Sequence, residues 1–172
     1  NIDVTIRAFA SACKKYPNFR LLVIGEGSAE KQLKELCASL QIENKVTFTG
    51  RIPFTEISKH YNMINVLVNI SEYESFGVSI IEAMACEKPV IVTNVGGLKE
   101  IVNHSLLGIK VEVGDVEQTA AAIEQLFTDK KMYAEIAARS REHVVKNYNW
   151  NENLKQMISA YKELMVKLPA AV

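Results

Sequence analysis

The sequence has little that would suit it to a charged polymer, an oxidising compartment or a bilayer. Its 20 Lys and Arg balance 20 Asp and Glu, for a formal net charge of +0. A nucleic-acid binder shows a basic excess, and there is none. The three cysteines, Cys13, Cys37 and Cys86, are odd in number, far apart and without metal-ligand spacing. They read as reduced thiols in a cytosolic protein rather than as a disulfide framework. No run of about 18 apolar residues exists, so no segment reads as membrane-spanning, and no signal peptide is visible. Internal repeats and low-complexity linkers are absent. There is no Asp-x-Asp, the only aspartates being Asp3, Asp115 and Asp129. His60, His104 and His143 fall in separate helical or loop contexts, so they read as surface or packing residues and no metal site is expected. An initiator Met is also lacking, and NIDVTIRAFASACKKY opens as if in mid-helix. The expectation is a piece excised from a longer chain.

What is present is ordinary globular material. The chain has 172 residues, 48% hydrophobic and 23% charged. That suffices for one domain with one good core. Ile2, Ile6, Phe9, Ala10 and Cys13 share one helical face, and Pro17 follows the stop. RLLVIG, from Arg20 to Gly25, is a short apolar run of the kind a buried parallel strand makes. Ser28 is a candidate cap for a helix with Leu33, Leu36, Cys37 and Leu40 on its apolar face. KVTFTG (Lys45 to Gly50) is strand-like, and Phe54 to Tyr61 a short helix with Thr55 as a candidate cap. NVLVNI (Asn65 to Ile70) reads as a second buried strand. A helix beginning near Gly77 leads to the strand PVIV (Pro89 to Val92). Gly96-Gly97 opens a short helical stretch to Val102, and GIKVEV is the last strand.

After Gly114 only helices remain. Asp115 caps Val116 to Phe127, and Thr128 or Asp129 caps a helix to about Lys146. A third helix runs from about Asn151, with Leu154, Met157, Ile158, Tyr161, Leu164, Met165 and Leu168 at helical spacing. Docking of that face onto the domain is the favoured reading, with attachment to a membrane surface as the alternative. The tail PAAV after Leu168 is expected to fray. The fold class is therefore α/β: a parallel sheet with helices on both faces and a helical C-terminal extension. Such sheets bind ligands outside the carboxyl ends of their strands. That singles out the loops Gly25 to Ser28, Gly50 to Pro53, Ser71 to Gly77 and Thr93 to Gly97.

The third loop carries the chemistry. In SEYESFGVSIIEAMACEKPVIV, Glu82 is the only ionisable residue between Gly77 and Cys86. It lands beside Val78 and Ala85, on the same helical stripe as Val78, Ile81 and Ala85. A carboxylate there needs donors. They are either backbone amides or a basic side chain of the protein, or the two adjacent hydroxyls of a ligand such as a ribose. Gly77 allows close approach to the backbone. The first turn of the helix leaves amides that favour an anion, such as a diphosphate. Glu74 would then lie beyond that anion, within reach of hydroxyls on a group attached to it. Ser75 and Ser79 have no adjacent histidine for nucleophilic catalysis and read as loop or capping residues.

Glu74-x7-Glu82, with Phe76-Gly77 inside it and EAMACEKPVIV after it, resembles the donor-binding domain of retaining glycosyltransferases of family 4, the "group 1" family. The resemblance extends over AFASACKKYPNFRLLVIGEG, VTFTGRI, GGLKEIV and YNWNENL. It implies two Rossmann-like domains facing a cleft, the GT-B architecture, of which residues 1–172 are the C-terminal, donor-binding one. Glu74 is similar to the glutamate that contacts hydroxyls of the donor sugar and is the candidate catalytic residue, in an orienting role rather than as a nucleophile. Phe76, Gly77 and Val78 match the segment whose amides meet the diphosphate and sugar. Glu82 matches the ribose-binding glutamate, Arg51 and Ile52 the region framing the base, and Gly25 a glycine lining the cleft. Gly96-Gly97 lies on the donor side, though a turn and helix start explain it at least equally well.

The resemblance implies a metal-independent retaining hexosyltransferase with no cofactor and a UDP-, GDP- or ADP-linked sugar as donor. It also implies an acceptor saccharide or lipid-linked saccharide, and a cytoplasmic setting at or near the inner membrane surface. Three departures accompany it. The Arg and Lys that neutralise the diphosphate fall before this sequence begins, as does the acceptor domain, so the stretch alone is expected to be inactive. Glu87 stands where glycine is common at a helix end. The leading strand is missing, which leaves a slot between RLLVIG and NVLVNI. That slot is expected to be filled by residues outside the sequence, closed by direct pairing, or occupied by another chain. A non-catalytic nucleotide-binding module and a nucleotide-sugar epimerase of the same architecture are the competing readings.

Overall fold

A computed structural model describes residues 1–167. Among these, five short strands alternate with helices, and three further helices follow. In order they are α1 (Ile2–Lys15), β1 (Leu21–Val23), α2 (Glu30–Ser39), β2 (Val46–Phe48), α3 (Ile57–Met63), β3 (Leu67–Asn69) and α4 (Val78–Ala85). They continue with β4 (Val90–Thr93), α5 (Gly96–Ile101), β5 (Ile109–Val111), α6 (Val116–Thr128), α7 (Lys130–Asn147) and α8 (Trp150–Lys167). Every pairing between these strands is parallel. Leu22 faces Thr47 across β1–β2, Val68 faces Ile91 across β3–β4, and Val92 faces Lys110 across β4–β5.

β4 shows how the layers form. Its four residues are all buried, because it has a neighbouring strand on each side and helices on both faces. Alternate side chains enter opposite cores. Ile91 joins Ile70 and Val111 against Val4, Ala8 and Ala12 of α1 and Ala122, Ile123 and Leu126 of α6. Val90 and Val92 point the other way, into Tyr61, Ile80, Ala83, Met84, Leu98 and Ile101 of α3, α4 and α5. The opposite side of α1, with Ile6, Phe9 and Cys13, packs with Leu33 and Cys37 of α2 over β1 and β2. Residues four apart share a helix face, so α1 serves both clusters at once. Full burial of a side chain such as Ile80 or Leu98 contributes about 1.5–3 kcal/mol.

The described sheet is in two parts, β1–β2 and β3–β4–β5. Direct pairing of β1 with β3, one of the three ways foreseen to close the slot, does not occur among the described residues. β1 and β3 are half-buried rather than buried, unlike β4, because each has a strand neighbour on one edge only.

Several helix ends differ from expectation. Ser28 does not cap α2. The turn runs on through Ala29, with the Glu30 amide donating to Gly27 O at 3.2 Å. Thr55 lies inside a 3-10 turn (Phe54–Glu56) and caps nothing. Asp115 and Asp129 do cap α6 and α7, accepting from the Gln118 and Met132 amides at 2.8 Å each. Glu87 adopts the left-handed conformation, φ 59, that ends a helix. Its Oε1 lies 3.5 Å from Arg141 Nε. α8 does not dock. Leu154, Met157, Ile158, Tyr161, Leu164 and Met165 are all exposed, although their spacing is amphipathic as read. Leu168 and the PAAV tail lie outside the described residues.

Candidate functional site

The four loops at the carboxyl ends of the strands form two groups. Beyond β1 and β2, the Gly25 amide donates to Gly50 O at 3.0 Å. Both glycines have positive φ, +117 and +66, and a Cβ on either would meet nothing within 4 Å. The pair therefore makes an open ledge. Arg51 follows, largely exposed, its Nη1 4.0 Å from Glu26 Oε1. An exposed pair at that distance holds neither side chain firmly. Ile52 is half-buried beside it.

Beyond β3 and β4 the loop Ser71 to Gly77 is tied down from beneath. Thr93, fully buried at the end of β4, donates its hydroxyl to Ser71 O at 2.6 Å. Ser71 Oγ donates to Asn69 Oδ1 at 2.8 Å, and Asn69 Nδ2 donates to Ser79 Oγ on α4 at 3.3 Å. Ser79 is thus a partner of Asn69 rather than a helix cap. The Gly97 amide donates to Glu74 O at 2.9 Å. A Cβ on Gly97 would lie 2.6 Å from Ser75 O, and one on Gly96 1.9 Å from Glu74 O. Gly96-Gly97 is therefore more than a turn and helix start. It is the bare surface on which the acidic loop rests. The signal was the dipeptide itself at the end of a strand, where missing side chains mark close backbone approach.

Gly77 takes φ +91 at the N-cap of α4, and a Cβ there would come within 2.9 Å of Leu98 Cδ2. Its amide and that of Phe76 are among those the sequence assigns to an anion. Instead Glu74 Oε1 accepts from both, at 3.2 and 3.3 Å. Both amides precede the first turn of α4, whose N-cap is Gly77, so the Glu74 carboxylate closes the loop on itself rather than capping the helix. Glu74 therefore folds onto the anion position rather than lying beyond it. Phe76 and Val78 point outward, 51% and 57% exposed.

Glu82 is not on the buried stripe of α4. Ile80, Ala83 and Met84 form that stripe and are fully buried, whereas Val78, Glu82 and Ala85 run along its flank. Glu82 is half-buried and, one turn after exposed Val78, leans back toward the start of the helix. Its Oε2 accepts a hydrogen bond from the Tyr61 hydroxyl at 2.9 Å. No other protein donor reaches the carboxylate among the described residues, so the residue is engaged by one side only. Tyr61, 4% exposed, sits in the α3–α4–α5 core. Burial first, and then the bond to the Glu82 carboxylate, push its phenol far above the ordinary range. Sequence reasoning missed Tyr61. It is 21 positions from Glu82, and the only hint was an aromatic with a polar tip at the end of an apolar helix face.

Glu74, Phe76 and Gly77 lead into α4, Val78 opens it, and Glu82 lies one turn further along. Gly25, Arg51 and Ile52 stand on the neighbouring pair of strands, and no hydrogen bond or ion pair joins the two groups among the described residues. Nor, among those residues, do three or more His, Cys, Asp or Glu side chains cluster in a way that could hold a metal ion. No helix among them is long and apolar enough to cross a membrane.

Comparison with known proteins places this geometry. The family described as "Glycosyl transferases group 1" matches residues 1–143. An uncharacterized glycosyltransferase of Methanocaldococcus jannaschii is 32% identical over 164 residues, covering 95% of this chain and 42% of that protein. The crystal structure of a glycosyltransferase from Rickettsia africae superposes with a TM-score of 0.83 at 30% identity, over 94% of this chain and 44% of that one. Anabaena HepE, solved in complex with UDP-glucose, superposes with a TM-score of 0.85 at 25% identity, over 93% of this chain and 44% of that one. The chain therefore spans less than half the length of these proteins. The architecture is the Rossmann-like one of GT-B glycosyltransferase domains. With the family pattern running from the first residue through α1 to α7, across both groups of strand-end loops, the chain belongs to the group 1 glycosyltransferases.

Proposed function

We propose that this chain is the donor-binding domain of a retaining, metal-independent glycosyltransferase of family 4, which transfers a hexose from a nucleotide diphosphate to a saccharide or lipid-linked saccharide. The observation that carries the reading is Glu82. It is a half-buried carboxylate on α4, the helix that follows the Ser71–Gly77 loop, bonded through one oxygen to Tyr61 and to no other protein donor among the described residues. A vicinal diol offers the two donors such a group can take. On this reading the α4 amides take the diphosphate, the open Gly25–Gly50 ledge lines the cleft and Arg51 frames the base. HepE, a relative by fold and sequence, was crystallised with UDP-glucose, which supports a nucleotide sugar as donor class.

Glu74 acquires a two-position role. A diphosphate and the Glu74 carboxylate cannot both accept from the Phe76 and Gly77 amides. On this reading donor binding displaces Glu74, freeing it to accept from hydroxyls of the transferred sugar. The chemistry is same-face attack, in which the leaving phosphate takes the acceptor proton, so the protein's share is positioning and charge stabilisation. The unpaired edges of β1 and β3 support a further parallel strand between them, which would complete the 3-2-1-4-5-6 order. Hydrogen exchange on the full-length protein would then find both strands protected, and fast exchange of both would contradict it.

The deciding experiment incubates the full-length protein with UDP-, GDP- and ADP-linked hexoses and a saccharide acceptor panel, and reads products by NMR. A glycoside with the donor's anomeric configuration is expected, without added metal. Epimerised nucleotide sugar, or no turnover of any donor, would refute the reading.

A further inference from the structure

Glu82 is held from one side by a residue that nothing about the family pattern singled out. Tyr61 projects from α3, its ring packed with Ile80, Ala83, Met84 and Val92. A buried tyrosine hydroxyl needs a partner, and here that partner is Oε2 of Glu82, 2.9 Å away. The ring cannot move without opening the core, so the hydroxyl is a fixed point and the carboxylate is anchored to it. An ionised carboxylate has about four acceptor positions. The Tyr61 bond uses one on Oε2, leaving Oε1 and the second position of Oε2 together. We propose that Tyr61 is a positioning residue: by fixing one oxygen of Glu82 it turns the remaining acceptor pair toward the vicinal hydroxyls of the nucleotide ribose.

This rests on the reading of Glu82 as the ribose ligand. The alternative is that the bond merely ties α3 to α4. The two differ in a sign. The Tyr61 hydroxyl can donate or accept, but Glu82 is the one acceptor its buried O–H has among the described residues. In Glu82→Gln, donation to the amide oxygen keeps that O–H paired, so it is favoured and turns the NH2 group toward the ribose. The two ribose hydroxyls, which donated to the carboxylate, then meet a donor and lose the acceptor for their own protons. Removing the tyrosine hydroxyl as well lets the amide turn over and offer its oxygen to one of them. A positioning role thus makes Tyr61→Phe harmful when residue 82 is glutamate and helpful once Glu82→Gln has been made. A structural tie makes it equally harmful, or neutral, in both backgrounds.

The test titrates the full-length protein, calorimetrically, with UDP, GDP and ADP, each beside its 2′,3′-dideoxy analogue. The variants are Tyr61→Phe, Glu82→Gln and the pair. Tyr61→Phe keeps the ring, and melting curves confirm folding of each variant. For the nucleotide that binds, we expect Tyr61→Phe to weaken binding about 5-fold, as the loss of one orienting hydrogen bond would. Glu82→Gln should weaken it about 30-fold, as a lost charge-assisted pair would, and the double variant should recover about 3-fold over Glu82→Gln. None of these changes should appear with the dideoxy analogue. If Glu82→Gln binds the ribonucleotide as tightly as the parent, or no nucleotide binds, the ribose reading itself falls. If Glu82→Gln weakens binding but Tyr61→Phe changes both backgrounds alike, or changes ribo- and dideoxynucleotide alike, the ribose reading stands and the positioning role of Tyr61 is overturned.

Discussion

Replacing Gly97 by alanine sets a methyl group against the backbone of the acidic loop. The new Cβ would lie 2.6 Å from Ser75 O, 2.7 Å from Phe76 Cα and 2.7 Å from Phe76 O. Unstrained carbon contacts fall at about 3.5–4.0 Å, so the loop must retreat by on the order of 1 Å. All three atoms are backbone, and no rotamer change can absorb the clash. The same retreat strains the bond from the Gly97 amide to Glu74 O, now 2.9 Å. Overpacking of this kind costs about 1–3 kcal/mol. At about 2 kcal/mol, a domain of this size loses roughly 4–8 °C in Tm. Displacing the Phe76 and Gly77 amides by about 1 Å is expected to reduce transfer on the order of 100-fold, more than the stability loss explains. Gly27→Ala is the control, since its Cβ would meet nothing within 4 Å and should change stability by less than about 0.5 kcal/mol. Calorimetric melting with single-turnover transfer by the full-length protein reads both effects. If Gly97→Ala behaved like Gly27→Ala in both, the argument that the glycine pair seats the acidic loop would be wrong.

Further outcomes follow from the same structure. Asp115→Ala and Asp129→Ala each remove a helix cap and should cost about 1 kcal/mol, read by chemical denaturation. Equal stability of both variants and parent would mean those caps are idle. Ile158→Gln on exposed α8 should leave the Tm of the 172-residue chain nearly unchanged, whereas Ile80→Ala in the core should cost about 2–5 kcal/mol. A large loss at Ile158 would show α8 docked after all. Tyr61 predicts a pH dependence. Burial, then the hydrogen bond and charge of Glu82, then Cys86, all raise its phenol, so the folded state keeps a proton that the unfolded chain releases at about pH 10. The associated stability is whole below that pH and declines as the pH rises above it. Tyr61→Phe should flatten that decline in alkaline denaturation, and an identical slope in both proteins would contradict it.

Local chemistry made much of this legible in the sequence. Asp115 and Asp129 were readable as caps because the cap, the first turn and the amide three residues on lie in one short stretch. β4 was readable because PVIV is apolar on both faces, as a strand between two neighbours must be. β1 and β3 looked the same in sequence but are half-buried, since an apolar run says nothing about whether a neighbour is present on each edge. Ser28 failed as a cap because the Gly25-Glu26-Gly27 turn sets where α2 starts, and it runs one residue further. Glu74 and Glu82 were recognisable as a pair, but their present partners were not. The Glu74 bond to the Gly77 amide spans three residues of one loop and could have been read. The Glu82 bond to Tyr61 joins two helices through the tertiary fold, and no local pattern reports it. For α8 the periodicity was correct, but spacing defines an apolar face without saying what covers it.

The account turns on Glu82 accepting from the hydroxyls of a ribose. The most direct measurement is the affinity of full-length parent and Glu82→Ala for UDP, GDP and ADP by calorimetry, with melting curves to confirm that the variant is folded. Hydrogen bonds to a charged group contribute about 1.5–3 kcal/mol, so the nucleotide that binds the parent should bind folded Glu82→Ala roughly 10- to 150-fold more weakly. Unchanged affinity in a folded variant, or an unfolded variant whose residual native fraction binds normally, would show that the carboxylate serves Tyr61 and the fold alone.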